Sequence, residues 1–599
     1  MKHFKLFLPW LLLCAALSVS VTLFASAGGG GGGGGGDGDS GATGALLELF
    51  WYILVYIPFP WNLVVIAVLV FIFYRIGKNV KAGSALNNIT AINNINENKN
   101  VITPEFLGKN PGFNETQFKQ KASIAFMEVQ KAWEEKDLSR VRRFISDGVY
   151  QRFNTQFRIM NALGQVNHMQ NIRIQKLFLD AVENDGDYHI IHAGVHFEME
   201  DDFLCEKFPE LNQAGHLENL EYWSFIKRSG AEKNIYSSNN CPKCGASLPE
   251  DGGEVSKCAH CGTVTYLGEY DWVLSEISQG DDYINEPKKL GKNGKKTAKL
   301  REVIGTNSSV QLLEDKASNA YMQLITAMVE KKPELMRRFV TDEVYESLGE
   351  KIKAEPHYLF NRLYLNDVTL VDYFNDEGKD NLVFAMKRSA QRVGVEGERL
   401  SLIDSTVMAE NKVMIMSRDA GAKEPKGTLY SHSCPNCAAP VPDTTDTKCA
   451  YCGELLNSTK FEWIVSSLFD SDEYMSWKKE EEPDLVNDID PSLLDSLYDV
   501  RDFAINNVMI MVMADGNLAE DEIKFVQKIA RKWGYKPDRL NAMYEMATAK
   551  KLVLRLPEQE KKKRKVYKLM LKAAMAEGTI SPEEQAILDD VKKQLAEPV

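Results

Sequence analysis

Eight of the ten cysteines fall into two matched sets, Cys241-Pro-Lys-Cys244 with Cys258-Ala-His-Cys261 and Cys434-Pro-Asn-Cys437 with Cys449-Ala-Tyr-Cys452. Two CxxC pairs separated by roughly a dozen residues bring four thiolates to the corners of a tetrahedron, the donor set of a closed structural zinc site. The expected cofactors are therefore two structural Zn(2+) ions, one per set. Redox dithiols and paired disulfides are the alternatives, and the glycine or alanine that follows the second cysteine of each knuckle favours the metal. His260 and His432 are nearby, but four thiolates already complete the shell.

Other groups that could do chemistry are weaker. His189, His192 and His196 share one expected strand, where 192 and 196 point to one face and 189 to the other, without an accompanying carboxylate or cysteine cluster. Cys205 and Cys14 have no base partner visible in sequence. The chain carries no HExxH, phosphate loop, dinucleotide fingerprint or nucleophile elbow. A non-enzymatic protein is the expectation. The net charge of −13 and the acids beside the knuckles, Glu250, Asp251, Glu254, Asp443 and Asp446, repel phosphate, which excludes nucleic acid as a partner. Cysteines used almost wholly as CxxC pairs point to a reducing compartment.

The stretches that must position the knuckles are alternating, strand-like segments. Tyr222 to Arg228 and Tyr270 to Ile277 flank the first set, and Val413 to Arg418 and Phe461 to Ser467 flank the second, so each ribbon is expected at a hairpin tip, with Trp272 and Trp463 corresponding. The repetition extends further. Lys121-Ala-Ser and Phe144-Ile-Ser-Asp-Gly-Val-Tyr150 return as Lys316-Ala-Ser and Phe339-Val-Thr-Asp-Glu-Val-Tyr345. One unit of helices followed by a sheet has been duplicated.

Within the first unit, Phe118, Ala122, Ala125, Phe126 and Val129 recur at helical spacing, and Trp133, Leu138, Val141, Phe144 and Ile145 predict a second helix. A further helical stretch runs to about Asn167, followed by strands at Ile172 to Leu179, Asp187 to Met199 and Tyr222 to Arg228. Trp133, Phe144, Trp223 and Trp272 are expected core aromatics, some of which could line a pocket. Helices on one face of a mostly antiparallel sheet define an α+β layer fold.

Before the repeats, residues 1–27 combine Lys2 and Lys5 with an apolar run and Ala25-Ser-Ala27, the pattern of a cleaved signal or a first membrane segment. A glycine-rich linker follows (28–44), then a transmembrane segment (45–75), apolar from Leu46 to Tyr74 and interrupted by Pro58 and Pro60. Arg75, Lys78 and Lys81 mark its cytoplasmic side. The expectation is a single-pass or two-pass protein of the bacterial inner membrane whose remaining domains lie in the cytoplasm.

The order predicted from there is a tether (76–115), the first unit (116–278, ribbon 241–261), a basic linker (279–314), the second unit (315–468, ribbon 434–452), an acidic linker (469–490) and a helical domain (491–599). The basic linker, with Lys288, Lys289, Lys292, Lys295, Lys296 and Lys299, is a solvated tether or a contact for anionic lipid. Lys561 to Lys565 form a solvated helix face.

The run Lys131-Ala-Trp-Glu-Glu-Lys-Asp-Leu-Ser-Arg-Val-Arg-Arg-Phe-Ile-Ser-Asp-Gly-Val-Tyr-Gln-Arg-Phe153 resembles the domain of the membrane-anchoring subunit of the mitochondrial protein-import motor. That resemblance spans about Thr116 to Ser278 and, more weakly, Asp315 to Ser467. It implies two cone-shaped α+β domains of the nuclear transport factor two-like superfamily, whose concave sheets hold apolar ligands or bind partners.

In the last hundred residues, Met513-Ala-Asp-Gly-Asn-Leu-Ala-Glu-Asp-Glu522 answers Met575-Ala-Glu-Gly-Thr-Ile-Ser-Pro-Glu-Glu584. This pattern resembles the all-α TerB domain of tellurite-resistance proteins. The resemblance implies a site for Ca(2+) or another divalent cation at Asp515, Glu522, Glu577 and Glu584; the alternative is that these acids serve helix N-termini. The function expected is a membrane-anchored scaffold or sensor that binds protein or anionic-lipid partners. A pocket-containing enzyme of the cone superfamily and a protein transport or insertion factor are the alternatives.

Overall fold

The computed structural model describes residues 101–595, apart from 249–256, 281–293, 306, 405–406, 424, 442–444, 482–492, 494–496, 514–519, 533–534, 536–539, 542, 545, 547–551 and 576–579, together with a short pairing of Ala25–Ser26 with Gly29–Gly30. Apart from Ala25–Ser26, the expected signal segment lies outside the described residues, as does the expected transmembrane segment. Among the described residues, no helix is long and apolar enough to cross a membrane.

The first unit opens with helix α1 (Pro104–Lys109) and continues with α2 (Glu115–Glu135), started by the Asn114 side chain and stopped at Lys136, which is left-handed at φ 54°. This stop corrects the expected second helix. Trp133 belongs to α2, and Leu138, Val141 and Phe144 reach the core from a turn that ends in the short 3₁₀ segment Arg142–Phe144. A spacing of three suits that tighter winding as well as it suits an α-helix.

Helix α3 (Asp147–Leu163) begins at the Ser146 cap and ends at left-handed Gly164, four residues earlier than its apolar pattern suggested. Strands β1 (Gln165–Asp185), β2 (Tyr188–Cys205), β3 (Gln213–Arg228) and β4 (Val273–Gln279) then form an antiparallel sheet in chain order. Three register shifts in β1, at Gln170/Arg173, Ile174/Lys176 and Leu179/Ala181, bend it, since each bulge increases local twist.

The second unit repeats this plan. Helix α4 (Gly294–Ile304) precedes α5 (Val310–Glu330), capped by Ser309 and stopped at left-handed Lys331, and α6 (Asp342–Ala354) follows its Thr341 cap. Strands β5 (Tyr358–Asp376), β6 (Lys379–Glu396), β7 (Arg399–Leu402), β8 (Met408–Asp419) and β9 (Ile464–Asp470) make the second sheet, ordered β9-β8-β6-β5 with β7 on β6. Caps, stops and bulges recur at equivalent places: Asn114 with Ser309, Lys136 with Lys331, Ser146 with Thr341, and left-handed Asn171 with Arg362. Both α4 and the start of α5 fall inside the stretch expected to be a basic linker. Asp185 at the end of β1 fixes the entry to α5, accepting from Ser309 Oγ (2.9 Å) and Val310 N (2.6 Å).

Each sheet closes over its own helices. Phe118, Phe126, Phe153, Phe197, Trp223 and Phe225 fill the first core, and Tyr321, Met336, Phe384, Met386, Met414 and Val465 the second. The two units join through α3 and α5. Arg152 donates to Ser318 Oγ (2.8 Å) and Gln156 to Leu363 O (2.7 Å), while Thr155 and Thr326 share a hydroxyl contact of 2.8 Å. Burial pushes Asp315 up to about 6, against the donors Ser146 Oγ and Gly148 N that hold it at the start of α3.

Gly148 is what permits that approach. A Cβ there would stand 2.6 Å from the backbone oxygen of Asp315. Gly148→Ala is therefore expected to force the units apart and cost about 1–3 kcal/mol, read as a lower denaturant midpoint. An unchanged midpoint would show that the joint is not close-packed.

The described residues after β9 pack on the other face of the second sheet. Helix α7 (Ser471–Glu481) occupies the expected acidic linker because Tyr474 and Met475 are buried and Trp477 stacks on Phe469 at 5.7 Å. Helices α8 (Val500–Val512), α9 (Glu520–Lys532), α10 (Glu560–Met575) and α11 (Pro582–Lys593) share a core with Val383, Ala385, Val413 and Ile415 of that sheet. The Lys561 to Lys565 run lies on α10, where Lys563 pairs with Glu560 at 2.9 Å.

Candidate metal centres

Each CxxC knuckle folds for a local reason. The first cysteine's carbonyl accepts from the residue after the second cysteine, as in Gly245 N to Cys241 O (2.9 Å), Gly262 N to Cys258 O (2.9 Å), Ala438 N to Cys434 O (2.8 Å) and Gly453 N to Cys449 O (2.9 Å). All four donors sit at positive φ, between 61° and 79°, which glycine adopts freely and Ala438 at some cost. The turn points both sulfurs inward.

The two knuckles of each set then face one another. Cys241 and Cys244 lie 3.6 Å from Cys261 and Cys258 respectively, and in the second set Cys434–Cys452 and Cys437–Cys449 are 3.7 Å apart. Within each set all four sulfurs fall within 4.8 Å of one another. A disulfide needs about 2.05 Å, whereas a tetrahedron of about 2.3 Å zinc–sulfur bonds has edges of about 3.8 Å. The geometry fits two metal ions and is consistent with zinc.

Proton affinities within a set are split. Thr263 beside Cys261 draws that thiol down to about 6, while Cys244 is pushed up to about 12 by hydrogen bonding with its neighbouring thiols, against its backbone contact with Ala246. In the second set, burial raises Cys434 to about 12. Burial also opposes ionisation of Cys449, but the backbone amides of Cys452 and Tyr451 bring it to about 7. Four packed thiols cannot all ionise unless a cation compensates them.

The ribbons sit where the alternating segments placed them, since β3 pairs with β4 and β8 with β9 around the knuckles. Sequence reading missed the group that ties each ribbon to its unit. Lys121 Nζ meets Asp271 at 2.6 Å and Lys316 Nζ meets Glu462 at 2.8 Å, with both acids almost fully buried. Tyr236 donates to Trp272 O (2.8 Å) and Tyr430 to Trp463 O (2.9 Å), and each lysine rides over its tyrosine ring at 5.9 and 5.5 Å. The signal was present: lysine and tryptophan recur at equivalent points, with an acid immediately before each tryptophan. The match between Asp271 and Glu462 is one of charge rather than identity, so it does not stand out as a motif.

The histidines do not converge. His192 contacts Ser224 and Glu183, His196 contacts Glu218, and His189 is held between Asn184 (2.8 Å) and Ser229 (3.1 Å). Burial, with Lys227 adding to it, lowers His189 to about 4. An unfolded histidine near 6.5 then binds more protons than the folded one between those values, so stability is full above pH 6.5 and is lost as pH falls towards 4. His189→Gln is expected to shrink the loss of urea midpoint between pH 7.5 and 5; an unaltered loss would assign the acid sensitivity elsewhere.

The four candidate carboxylates are not brought together by what is described. Asp515 and Glu577 lie outside the described residues, as does the side chain of Glu522, which falls on α9. Glu584 accepts from Ser581 N at 2.8 Å and completes a capping box, the helix-start role that was the alternative.

The helix pair, the bulged strand β1 and its partner β2 carry a further likeness. Residues 102–208 match the model of the Tim44-like domain. The Tim44-like match runs from just before α1 past the end of β2 and stops before the hairpin that bears the ribbon. Comparison with curated proteins and with solved structures gives no match. The second unit repeats the caps, bulges and buried lysine–acid pair of the first.

Proposed function

We propose that this chain is a non-enzymatic, membrane-anchored scaffold or sensor that binds protein or anionic-lipid partners through its Tim44-like unit and the repeat of it, with structural zinc in both ribbons. The observation that carries the reading is the filling of the two cones. Aromatic and branched side chains occupy their interiors, and a cavity of only about 10 Å³ lies between the units, against Trp133, Met160, Phe203, Arg362 and Tyr364. That space holds about one water. The metal clusters, meanwhile, are closed four-thiolate sets at the hairpin tips rather than open catalytic sites. Among the described residues, this filling favours binding on outer surfaces.

The apolar run from Leu46 to Tyr74 supports the anchor, and its positive flank supports a cytoplasmic position for everything after it. The C-terminal helices, with their TerB-like sequence pattern, would recruit a partner or report a divalent cation. Vesicle flotation after a carbonate wash tests the core of this reading. The full chain is expected to float and a chain starting at residue 101 to stay behind, returning only with anionic vesicles if the soluble units bind lipid. A full chain left at the bottom overturns the anchored reading.

A further inference from the structure

The joint between the two units is heterologous. The first unit gives the face of α3 and the second receives it on α5, so one α3-type face and one α5-type face remain. The offset that carries Lys121 to Lys316 carries α3 onto α6 and α5 onto α2. Among the described residues, neither remaining face is covered. On α2, Ile124 is 43% and Met127 39% exposed, whereas their equivalents on α5, Asn319 and Met322, are buried in the joint.

We propose that a second copy of this chain supplies the missing partner: α6 of one molecule docks on α2 of the next, repeating the internal joint as a head-to-tail contact between chains. The side chains on the two open faces complement each other at each position that makes a side-chain pair inside the molecule. The ion pair of Arg158 with Glu330 maps onto Lys353 and Glu135. The Thr155–Thr326 contact maps onto Glu350 and Lys131, again of opposite charge. Ser146 with Asp315 becomes Thr341 with Gln120, and Arg152 with Ser318 becomes Ser347 with Ser123, both still able to hydrogen-bond.

Within one molecule, Glu135 is half exposed and shared between Arg140 (3.3 Å) and Lys131 (3.9 Å), pairs that contribute little at a surface and can be exchanged. One difference sets the strength. Gly148, which lets the internal joint close onto the Asp315 backbone, is replaced in the open face by Glu343. The contact between chains therefore sits farther apart and is weaker, reversible and sensitive to salt. Because the contact is heterologous, it extends into rings or open strings rather than stopping at a two-fold dimer.

The test is sedimentation velocity on the full chain in detergent, over a range of concentration and salt. The expected result is a mass that grows with concentration and falls with salt. Glu135→Lys alone and Lys353→Glu alone should each weaken association severalfold, and the double variant should regain it. In parallel, separately purified Lys131→Cys and Glu350→Cys chains should form a crosslinked pair only when mixed. Metal content and unfolding temperature equal to the parent's certify that each variant is folded. A monomer at every concentration together with no crosslink in the mixture overturns the proposal. So does a charge-swapped double variant no better than the singles, or a Lys131→Cys chain that crosslinks to itself, which would mean a two-fold contact.

Discussion

Cys258→Ser is expected to remove one of two zinc ions per chain and to unfold the first ribbon while leaving the second loaded. Cys258 is 1% exposed and its sulfur lies 3.6 Å from that of Cys244. A serine oxygen neither ionises near neutral pH nor matches the softness of a thiolate, so the site loses a ligand and its charge balance. The ribbon has little else to hold it. Its apolar cluster consists of Leu248 and the cysteines themselves, with Ala246 packed alongside. Full burial of one leucine contributes about 1.5–3 kcal/mol, whereas a structural zinc contributes on the order of 10 kcal/mol or more to folding. The metal dominates. Elemental analysis of the full chain, with Cys258→Ser and Cys449→Ser measured alongside, decides the matter: two zinc in the parent and one in each variant are expected. A parent without metal, or a variant that keeps both ions, would remove the zinc assignment.

Much of this site was legible because cysteine spacing is a short-range code. The turn after each first cysteine is set within five residues, and the glycine or alanine at its end is visible in sequence. The hairpins were legible from alternation, and the duplication from Lys121-Ala-Ser and its echo. What escaped depends on distance along the chain. The stop of α2 at Lys136 carries no glycine to announce it; a lysine in the left-handed region is held there by the Ala132 and Trp133 carbonyls. The acidic stretch after Phe469 is rich in charge, yet Tyr474 and Trp477 fold it onto the sheet as a helix. The internal joint is specified by Ser146, Arg152, Asp315 and Thr326, polar residues whose partners lie more than a hundred positions away. Periodicity cannot reveal such pairs. The candidate carboxylates failed to resolve for another reason: Glu584 satisfies a local cap, and acids at helix starts look alike whether they cap or chelate.

The lysine–acid pair beneath each ribbon leads to the second large effect. Lys121→Met is expected to destabilise the first unit by about 3–5 kcal/mol, because it strands a buried carboxylate. Burial already pushes Asp271 above its ordinary value, and Lys121 is the cation that opposes this; what would remain are the amides of Trp272 (2.8 Å) and Ile235 (3.1 Å). Those amides belong to the strand entry and to the segment leading into the first knuckle, so the strain falls on the base of the ribbon. Tyr236 holds the same place through the Trp272 carbonyl and stacks on Phe144 at 4.8 Å. Removing both charges is a different experiment. Lys121→Met with Asp271→Leu removes both members of the pair, so the part of the loss that comes from stranding the carboxylate should return, while the amides of Trp272 and Ile235 lose their acceptor and buried Lys227 loses a neighbouring acid. A thermodynamic cycle in urea over the parent, the two single variants and the double variant measures the coupling. A double variant as unstable as the sum of the singles would show that the lysine acts through packing rather than charge. A Lys316→Met and Glu462→Leu cycle should give the same sign in the second unit, since Glu462 likewise accepts from Lys316 (2.8 Å) and from the Trp463 amide (3.1 Å). Agreement between the two cycles would mean that duplication preserved the electrostatic tie even where it changed aspartate to glutamate.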